Sequence, residues 1–385
     1  MVLLLTNNYP PYIGGSSQIL YELLRHFPEN YFKVYHGVGS TQKNETNLPF
    51  KRSPLLIFGS LLWTQRVLRY LPLLYSIVLT GYIFLKEDRR KIKAVYAHYP
   101  SASFLIAAYF ISILFKKPLV VYYDIVWEGR GIKKEDWLAR KFESKILHHA
   151  HKVIAITEHL STHLENKHHI KCEVIPHTTS ETLMDQLKRI GENEDHNKVF
   201  KIHFAGAIYP RMNQDSLVRL ARVLKKLPFR CELELCSPSV PNEITDIFPV
   251  TKRYLNHSEL IESQKKSDLL FLPQAFKSDS QLMIQLNMPT KTMEYLCTGT
   301  PILVHSPKES YLTWLSLKEQ FAFVVSESDE EKLFDTIIAI REKATERIAK
   351  VIHAKTLAEK RSSKLWAIEF MHILDELSTT TNNHN

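Results

Sequence analysis

The chain has 385 residues, 44% of them hydrophobic and 24% charged, which is ordinary for a soluble globular protein of two or three domains and excludes the need for a stabilising metal or disulfide. The net charge of +9 fits nucleic acid, an anionic membrane surface or a phosphorylated ligand. No nucleic-acid-binding motif and no long Lys/Arg run accompany this charge, so we predict no nucleic-acid partner.

The four cysteines are scattered and form no C-x-x-C pair, which disfavours zinc and redox sites and fits reduced thiols in a cytosol. The first residues lack the basic region and the apolar length of a signal peptide. They predict instead a buried strand, Val2–Thr6. We therefore expect a cytoplasmic protein.

A loop rich in helix breakers follows this strand and ends at Gly14 and Gly15. The next apolar residues recur at helical spacing, and Ser16 or Ser17 is expected to cap that helix. A strand, a glycine pair and a helix N-terminus form an arrangement that binds anions through free amides and the helix dipole. The alternative is a tight connection without a ligand.

Two apolar runs occupy residues 55–58 and 70–85, and basic residues follow over 86–93. The second run has 16 residues, fewer than the roughly 20 that a membrane-spanning helix needs. One interpretation is a helical pair packed within the N-terminal domain. The other is an interfacial segment that rests on a membrane through its apolar side and its basic flank.

Strands and helices then alternate in a pattern typical of a parallel, doubly wound sheet of the α/β class. The predicted strands are 94–98, 119–123, 152–157 and 173–176, and the predicted helices are 101–115, 137–148 and 158–166. A polar, breaker-rich linker follows at 178–199. A second series has predicted strands at 200–205, 232–236, 269–272 and 321–325, and residues 330–377 are predicted to be helical throughout.

The most informative stretch is 289–304, which predicts a short helix, a glycine stop and a buried strand. Pro289 suits a helix N-terminus, and Gly299 stands where a left-handed cap is needed. Lys291 and Glu294 are three residues apart and share a helix face just after the strand 269–272. Open α/β sheets bind ligands at that edge, although an ordinary surface ion pair is the alternative.

The residues P-T-K-T-M-E-Y-L-C-T-G-T-P-I-L resemble the nucleotide-sugar signature of glycosyltransferase family 4 and related enzymes with the GT-B fold. The resemblance implies two Rossmann-like doubly wound domains facing a central cleft. It implies an acceptor-side domain at 1–177, completed by a helix at 364–378, and a donor-binding domain at 200–363. It also implies that Glu294 contacts the donor ribose and that Gly14 and Gly15 face the donor diphosphate.

Stabilisation of a leaving diphosphate requires pre-oriented hydrogen-bond donors or cations. The candidates are the Gly14 and Gly15 amides, Arg211 and Lys291. Arg211 lies in the loop where the family usually holds an Arg and a Lys. That loop departs from the family at Ala207 and Asn213, and Arg211 is alternatively a solvated loop residue.

Two further positions depart from the family. Its second carboxylate, eight residues before Glu294, is Leu286 here, and the histidine that usually contacts the donor sugar is replaced by Asp124. His98, at the end of the preceding predicted strand, is the nearest substitute, so Asp124 and His98 are the catalytic candidates. The D-x-D motif and the His/Cys cluster of a metal site are missing from the expected place, so we predict no metal ligands and no cofactor besides a nucleotide-sugar co-substrate.

The resemblance therefore implies a glycosyltransferase of the hexosyltransferase type that retains anomeric configuration. It would move a sugar to a glycan, lipid-linked or other acceptor in cell-surface polysaccharide or glycoconjugate synthesis, either in the cytoplasm or peripherally on the inner face of the cytoplasmic membrane. A nucleotide-sugar epimerase is one alternative. A non-catalytic scaffold, suggested by Leu286 and Asp124, is the other.

Overall fold

A computed structural model describes the chain except for residues 11–13, 38–47, 55–70, 100, 129–132, 181–198, 254 and 381–385. The chain divides into two compact units. Unit 1 comprises Met1–Thr178 and Ser363–Asn385, and unit 2 comprises Thr179–Ser362. The apolar run 55–58 and most of the predicted linker 178–199 lie outside the described residues.

Unit 1 contains a seven-stranded parallel sheet of order β3-β2-β1-β4-β5-β6-β7. The strands are β1 Val2–Thr6, β2 Phe32–His36, β3 Lys51–Pro54, β4 Ala94–Tyr99, β5 Leu119–Tyr123, β6 Lys152–Ala155 and β7 Glu173–Val174. The helices are α1 Gly15–Leu24, α2 Pro72–Lys86, α3 Ala102–Phe115, α4 Lys133–His149, α5 Glu158–His168 and α14 Ser363–Thr380, and a 3-10 turn spans Arg89–Lys91. The chain moves outward from β1 in both directions, which confirms the doubly wound prediction and places the topological switch between β1 and β4.

Unit 2 repeats this arrangement in a six-stranded parallel sheet of order β10-β9-β8-β11-β12-β13. Its strands are β8 Phe200–Ala205, β9 Cys231–Cys236, β10 Val250–Arg253, β11 Leu269–Pro273, β12 Ile302–His305 and β13 Phe323–Val325. Its helices are α6 Gln214–Leu224, α7 Asn242–Thr245, α8 His257–Lys266, α9 Gln281–Leu286, α10 Lys291–Leu296, α11 Tyr311–Glu319, α12 Glu330–Glu342 and α13 Ala344–Lys360. Its switch point lies between β8 and β11.

The central strands are apolar because both of their faces are covered. In unit 2 one apolar cluster packs between the sheet and α6 with α12, and a second packs between the opposite face and α10, α11 and α13. The strands that sequence analysis missed include the polar edge strands β3 and β10. Their residues, KRSP and VTKR, lack the apolar run that identifies a central strand in the sequence.

Two local predictions are wrong. Residues 330–377 form three helices with breaks at Lys343 and at Arg361 and Ser362, where the Arg361 carbonyl accepts the Thr179 amide at 2.8 Å. Helix α1 begins at Gly15 with Gly14 as its N-cap, and neither Ser16 nor Ser17 caps it. Both serines lie inside the first turn, so the first amides of α1 have no side-chain cap.

Candidate functional site

Helix α10 is held against the end of β8 by its own side chains. It begins at Lys291, two residues after Pro289, whose carbonyl accepts the Thr292 amide at 3.0 Å. Tyr295 Oη accepts the Ala205 amide at 3.0 Å. Beyond the helix Gly299 has φ +74°, which confirms the predicted left-handed conformation. The short helix is thereby fixed at the carboxyl end of the central strand.

The Lys291 side chain runs from α10 to the last residues of β8. Its Nζ lies 4.0 Å from the centroid of the Phe204 ring, a cation–π distance. A Cβ added at Gly206 would lie 2.7 Å from the same Nζ, and Gly206 has φ +118°. Only glycine therefore lets the ammonium approach this backbone, next to the switch point between β8 and β11.

Burial moves both charged groups of α10 toward their neutral forms. It lowers the pKa of Lys291 to about 7, against the opposing charge of Glu294. It also raises the pKa of Glu294, an increase that His257, the Gln264 amide and Lys291 oppose. Because solvation of both groups is incomplete, an anionic phosphate near Lys291 and hydroxyl donors near Glu294 would each replace missing water.

His257 and Gln264 were not predicted as site residues. They are seven residues apart on α8 and therefore share one of its faces. Asn256 begins this helix with a capping box in which its side chain accepts the Glu259 amide. The spacing of the pair is visible in the sequence, but the packing of that face near Glu294 is decided by the fold.

Arg211 stands in the loop after β8, where its guanidinium is 58% exposed and lies 3.8 Å from the Asp279 carboxylate. Asn213, at the position of the family's usual Lys, is buried and braces this loop. Its Oδ1 accepts the Tyr209 amide at 2.9 Å, and its Nδ2 donates to the Ala207 carbonyl at 3.1 Å. The departure at Asn213 thus has a structural explanation, and Arg211 supplies a solvent-facing cation on the same loop.

Gly14 and Gly15 form the N-terminus of α1 in unit 1. Gly14 is exposed, and its carbonyl accepts the Gln18 amide at 3.1 Å. The first turn of α1 contains no acidic residue and has no side-chain cap. Free amides and the positive end of the helix dipole therefore lie at this point, as an anion would require.

His98 and Asp124 come together at the carboxyl ends of the neighbouring strands β4 and β5. His98 Nε2 lies 3.5 Å from Asp124 Oδ2, with side-chain exposures of 0% and 1%. The imidazole stacks on Tyr122 with 4.9 Å between ring centroids, and its Nδ1 lies 2.9 Å from Tyr96 Oη. Burial, Tyr122 and Asp124 raise the pKa of Tyr96, so its hydroxyl stays protonated. The pair is therefore part of the unit 1 core, and its catalytic role stays a prediction.

Leu286, at the position of the family's second carboxylate, is the last residue of α9 and is buried. An apolar side chain there packs within unit 2 and offers no oxygen to a ligand. The roles assigned to Lys291, Glu294, Arg211, Gly14 and Gly15 also stay predictions. The structure places the first three on the elements that follow β8 and β11, all in unit 2.

Comparison with known proteins found one family model that matches part of the chain and solved structures that share its fold. Residues 13–180 match the model of Glycosyltransferase Family 4. No curated protein matches the chain in sequence.

Solved structures match nearly the whole chain. Anabaena HepE in complex with UDP and glucose matches with a TM-score of 0.69 at 14% identity, over 98% of this chain and 100% of that one. The trehalose-6-phosphate synthase OtsA matches with a TM-score of 0.68 at 14% identity, over 97% and 99%. A glycosyltransferase from Rickettsia africae matches with a TM-score of 0.66 at 14% identity, over 98% of each chain. These likenesses confirm the predicted GT-B fold, and the family match confirms the resemblance.

Proposed function

We propose that this chain, which has the GT-B fold and matches the family 4 model over residues 13–180, is a glycosyltransferase that transfers a sugar from a nucleotide-diphosphate sugar bound by unit 2. The observation that carries the proposal is the position of the Lys291 ammonium against Phe204 and Gly206, at the switch point of the unit 2 sheet. Doubly wound sheets bind nucleotides at that point.

In the proposed site, separate residues bind the ribose and the diphosphate of the nucleotide sugar. The Glu294 carboxylate accepts hydrogen bonds from the two ribose hydroxyls, and Lys291 binds the diphosphate. Arg211, exposed on the neighbouring loop, adds a second cation. Binding of a dianionic diphosphate favours the charged form of Lys291, which reverses the effect of burial on its pKa.

In the transfer step, the bond between the anomeric carbon and the β-phosphate oxygen breaks, and a bond to an acceptor hydroxyl oxygen forms. The hydroxyl proton passes to the departing diphosphate, whose growing negative charge Lys291 and Arg211 stabilise. We propose that departure and attack occur on one face of the sugar, so that the anomeric configuration is retained. The anomeric coupling constant of the product, measured by NMR, tests this step.

In unit 1 we propose two supporting roles. The backbone amides of Gly14 and Gly15, at the start of α1, bind a phosphate oxygen. The catalytic role predicted for His98 and Asp124 would be indirect, because the pair is buried and positions the carboxyl ends of β4 and β5. Glycine at position 15 lets a phosphate approach the backbone closely, so Gly15→Val would obstruct this contact.

A thermal-shift screen of nucleotide sugars tests the donor proposal, because a ligand that binds only the folded state raises Tm. UDP-glucose is the first probe, since HepE was solved in complex with it. Calorimetry with the stabilising nucleotide sugar then compares Glu294→Gln with the wild type. A matched control is Glu346→Gln, because Lys343 and Glu346 have the same spacing as Lys291 and Glu294 but form an exposed pair at 2.9 Å.

We expect Glu294→Gln to weaken donor binding and Glu346→Gln to leave it unchanged. Equal affinity in the two variants would remove Glu294 from the site. If no nucleotide sugar shifts Tm, the donor proposal fails and the scaffold alternative is favoured. Release of free nucleotide diphosphate only when an acceptor is added distinguishes transfer from epimerisation.

For the acceptor, we propose a glycan or lipid-linked acceptor of polysaccharide or glycoconjugate synthesis, presented at an anionic cytoplasmic membrane surface. The support is α2, which packs on α3 and buries Leu79 and Ile83. The helix exposes Leu74 and Ile77 to solvent at helical spacing, and Phe84 is about half exposed beside Phe115 of α3. Among the described residues no helix is long and apolar enough to cross a bilayer.

Positive charge at the C-terminal end of α2 also favours binding to an anionic membrane surface. The exposed basic residues there are Lys86, Arg89, Arg90, Lys91 and Lys93, and Lys116 is exposed at the end of α3. Each basic residue near an anionic leaflet contributes about 1 kcal/mol. The apolar stripe and this basic cluster together match the interface of a bilayer that carries anionic lipids.

Flotation with phosphatidylglycerol vesicles and with phosphatidylcholine vesicles tests whether this part of unit 1 binds an anionic membrane. We expect binding to the anionic vesicles that falls in high salt and is lost in Arg89→Glu/Arg90→Glu/Lys91→Glu and in Ile77→Ser/Phe84→Ser. The control Ile352→Ser changes an exposed apolar residue of α13 and should bind normally. Protein that stays unbound at low salt would refute membrane docking without affecting the donor proposal.

A further inference from the structure

Three potential metal-ligating side chains come together on one face of the unit 2 sheet. His203 belongs to β8, and Glu234 and Cys236 belong to β9. His203 is paired in register with Glu234, and Ala205 with Cys236. Side chains two residues apart on a strand point to the same face, so all three side chains project to one side of the sheet. One ligand atom from each residue lies within 4.8 Å of the others.

The main evidence for a ligand at this cluster is the environment of the His203 imidazole. Its side chain is fully buried, and within the described part of the chain neither ring nitrogen has a hydrogen-bond partner. Its Nδ1 lies 3.5 Å from Glu234 Oε1, beyond the usual range of 2.7–3.2 Å for such a bond. Buried polar atoms are almost always satisfied, so these nitrogens point to a ligand.

We propose that His203, Glu234 and Cys236 bind a thiophilic divalent cation, with Zn²⁺ as the best match. Imidazole, carboxylate and thiolate are the ligand types that zinc uses, at about 2.0–2.3 Å from the metal. A neutral imidazole, one carboxylate and one thiolate together cancel two positive charges, which suits a buried site. On binding, the Cys236 thiol gives its proton to solvent and its sulfur bonds to the metal.

Neighbouring side chains hold the carboxylate in place. The Ser263 hydroxyl donates to Glu234 Oε1, and Arg253 Nε lies 3.8 Å from Oε2. Such outer partners orient a ligand and contribute to metal affinity. Sequence analysis predicted no metal ligands because the three residues are divided between two strands and form no short motif.

The cation would fix the end of β9 next to the proposed donor site. The carbonyl of Cys236 accepts the Gly206 amide at 2.9 Å, and Gly206 is the residue against which Lys291 packs. We therefore assign the metal a positioning role, outside the transfer step. The metal site rests on its own ligands and stands without the proposed donor chemistry.

Cobalt(II) titration of the full-length chain, after dialysis against a chelator, tests the site. Co²⁺ in a thiolate site gives a ligand-to-metal charge-transfer band, and Zn²⁺ should displace it. We expect a stoichiometric band in the wild type, its loss in Cys236→Ser and His203→Gln, and its retention in Cys231→Ser. Cys231 is on the same strand but outside the cluster, so it is the matched control.

Zn²⁺ should also raise Tm of the wild type and of Cys231→Ser, but not of Cys236→Ser. If His203→Gln fails to fold, the two cysteine variants still decide the question. A wild type without a charge-transfer band would overturn the proposal. So would a band that survives in Cys236→Ser or one that disappears in Cys231→Ser.

Discussion

The carboxyl ends of the two sheets have the same strand order around their switch points but different chemistry. In unit 2, Lys291 and Glu294 are only half-buried, and burial drives both toward neutrality. In unit 1, His98 and Asp124 are fully buried and packed among tyrosine rings. The same topology thus places an incompletely solvated pair, which a ligand could stabilise, in unit 2. In unit 1 it places a pair that the protein already encloses.

The difference teaches that position at a strand end does not by itself make a binding residue. A ligand must reach the group, and the group must gain from the contact. Lys291 meets both conditions, whereas His98 is enclosed by Tyr96, Tyr122 and Asp124. Substitutions in unit 1 should therefore change stability first, and those in unit 2 should change nucleotide binding first.

The largest expected effect is on the stability of unit 1. Asp124→Ala removes the carboxylate that faces His98, and loss of one partner of a buried polar pair costs about 2–4 kcal/mol. Calorimetry should show a lower Tm for an unfolding transition, while nucleotide affinity stays unchanged. If Tm is unchanged and kcat falls, the pair acts on the substrate and the comparison between the two sheets fails.

The next effect is on nucleotide binding by unit 2. Lys291→Met keeps the length and apolar contacts of the side chain but removes its charge. Loss of a hydrogen bond to a charged group costs about 1.5–3 kcal/mol, so Kd for the nucleotide sugar should rise about 10- to 150-fold. Titration calorimetry measures this change, and Lys343→Met on the exposed pair is the control. Normal affinity in Lys291→Met would remove the lysine from the site.

Gly206→Ala should have a smaller effect in the same place. The new Cβ would meet Lys291 Nζ at 2.7 Å in a backbone with φ +118°, so the side chain must shift. Strain of this kind costs about 1–3 kcal/mol, and we expect a loss of affinity of about tenfold. At Gly81 an added Cβ meets nothing, so Gly81→Ala is the control.

The double variant Gly206→Ala/Lys291→Met sharpens this result. If the alanine acts by displacing the ammonium, the double variant should bind like Lys291→Met alone, because the shared interaction is lost only once. Additive losses of binding free energy would show that Gly206 is required by the loop backbone and does not act through Lys291.

The smallest effect is a pH dependence of donor binding. Well below pH 7, Lys291 is already protonated in the free protein, because its pKa is about 7. Above pH 7 the free protein must take up a proton to bind the diphosphate, so affinity should fall about fivefold from pH 7 to pH 8. The diphosphate of a nucleotide sugar does not titrate in this range. Calorimetry in buffers of different ionisation enthalpy should show proton uptake that is absent in Lys291→Met.

The sequence by itself determined the alternation of strands and helices, because apolar runs bounded by breakers reflect strands covered on both faces. It also determined the short helix with Lys291 and Glu294 and the left-handed Gly299, since spacing along one helix and a glycine stop are local properties. The edge strands β3 and β10 escaped prediction because their residues, KRSP and VTKR, form no apolar run.

Only the tertiary structure decided which distant residues meet. The contact of Lys291 with Gly206, the packing of His98 on Tyr122 and the approach of His203 to Cys236 each join separate elements through the sheet. The pKa shifts of Lys291 and Glu294 depend on the same packing, because desolvation is a property of the surroundings and not of the residue type. Spacing along a chain carries no information about such contacts until strand order is fixed.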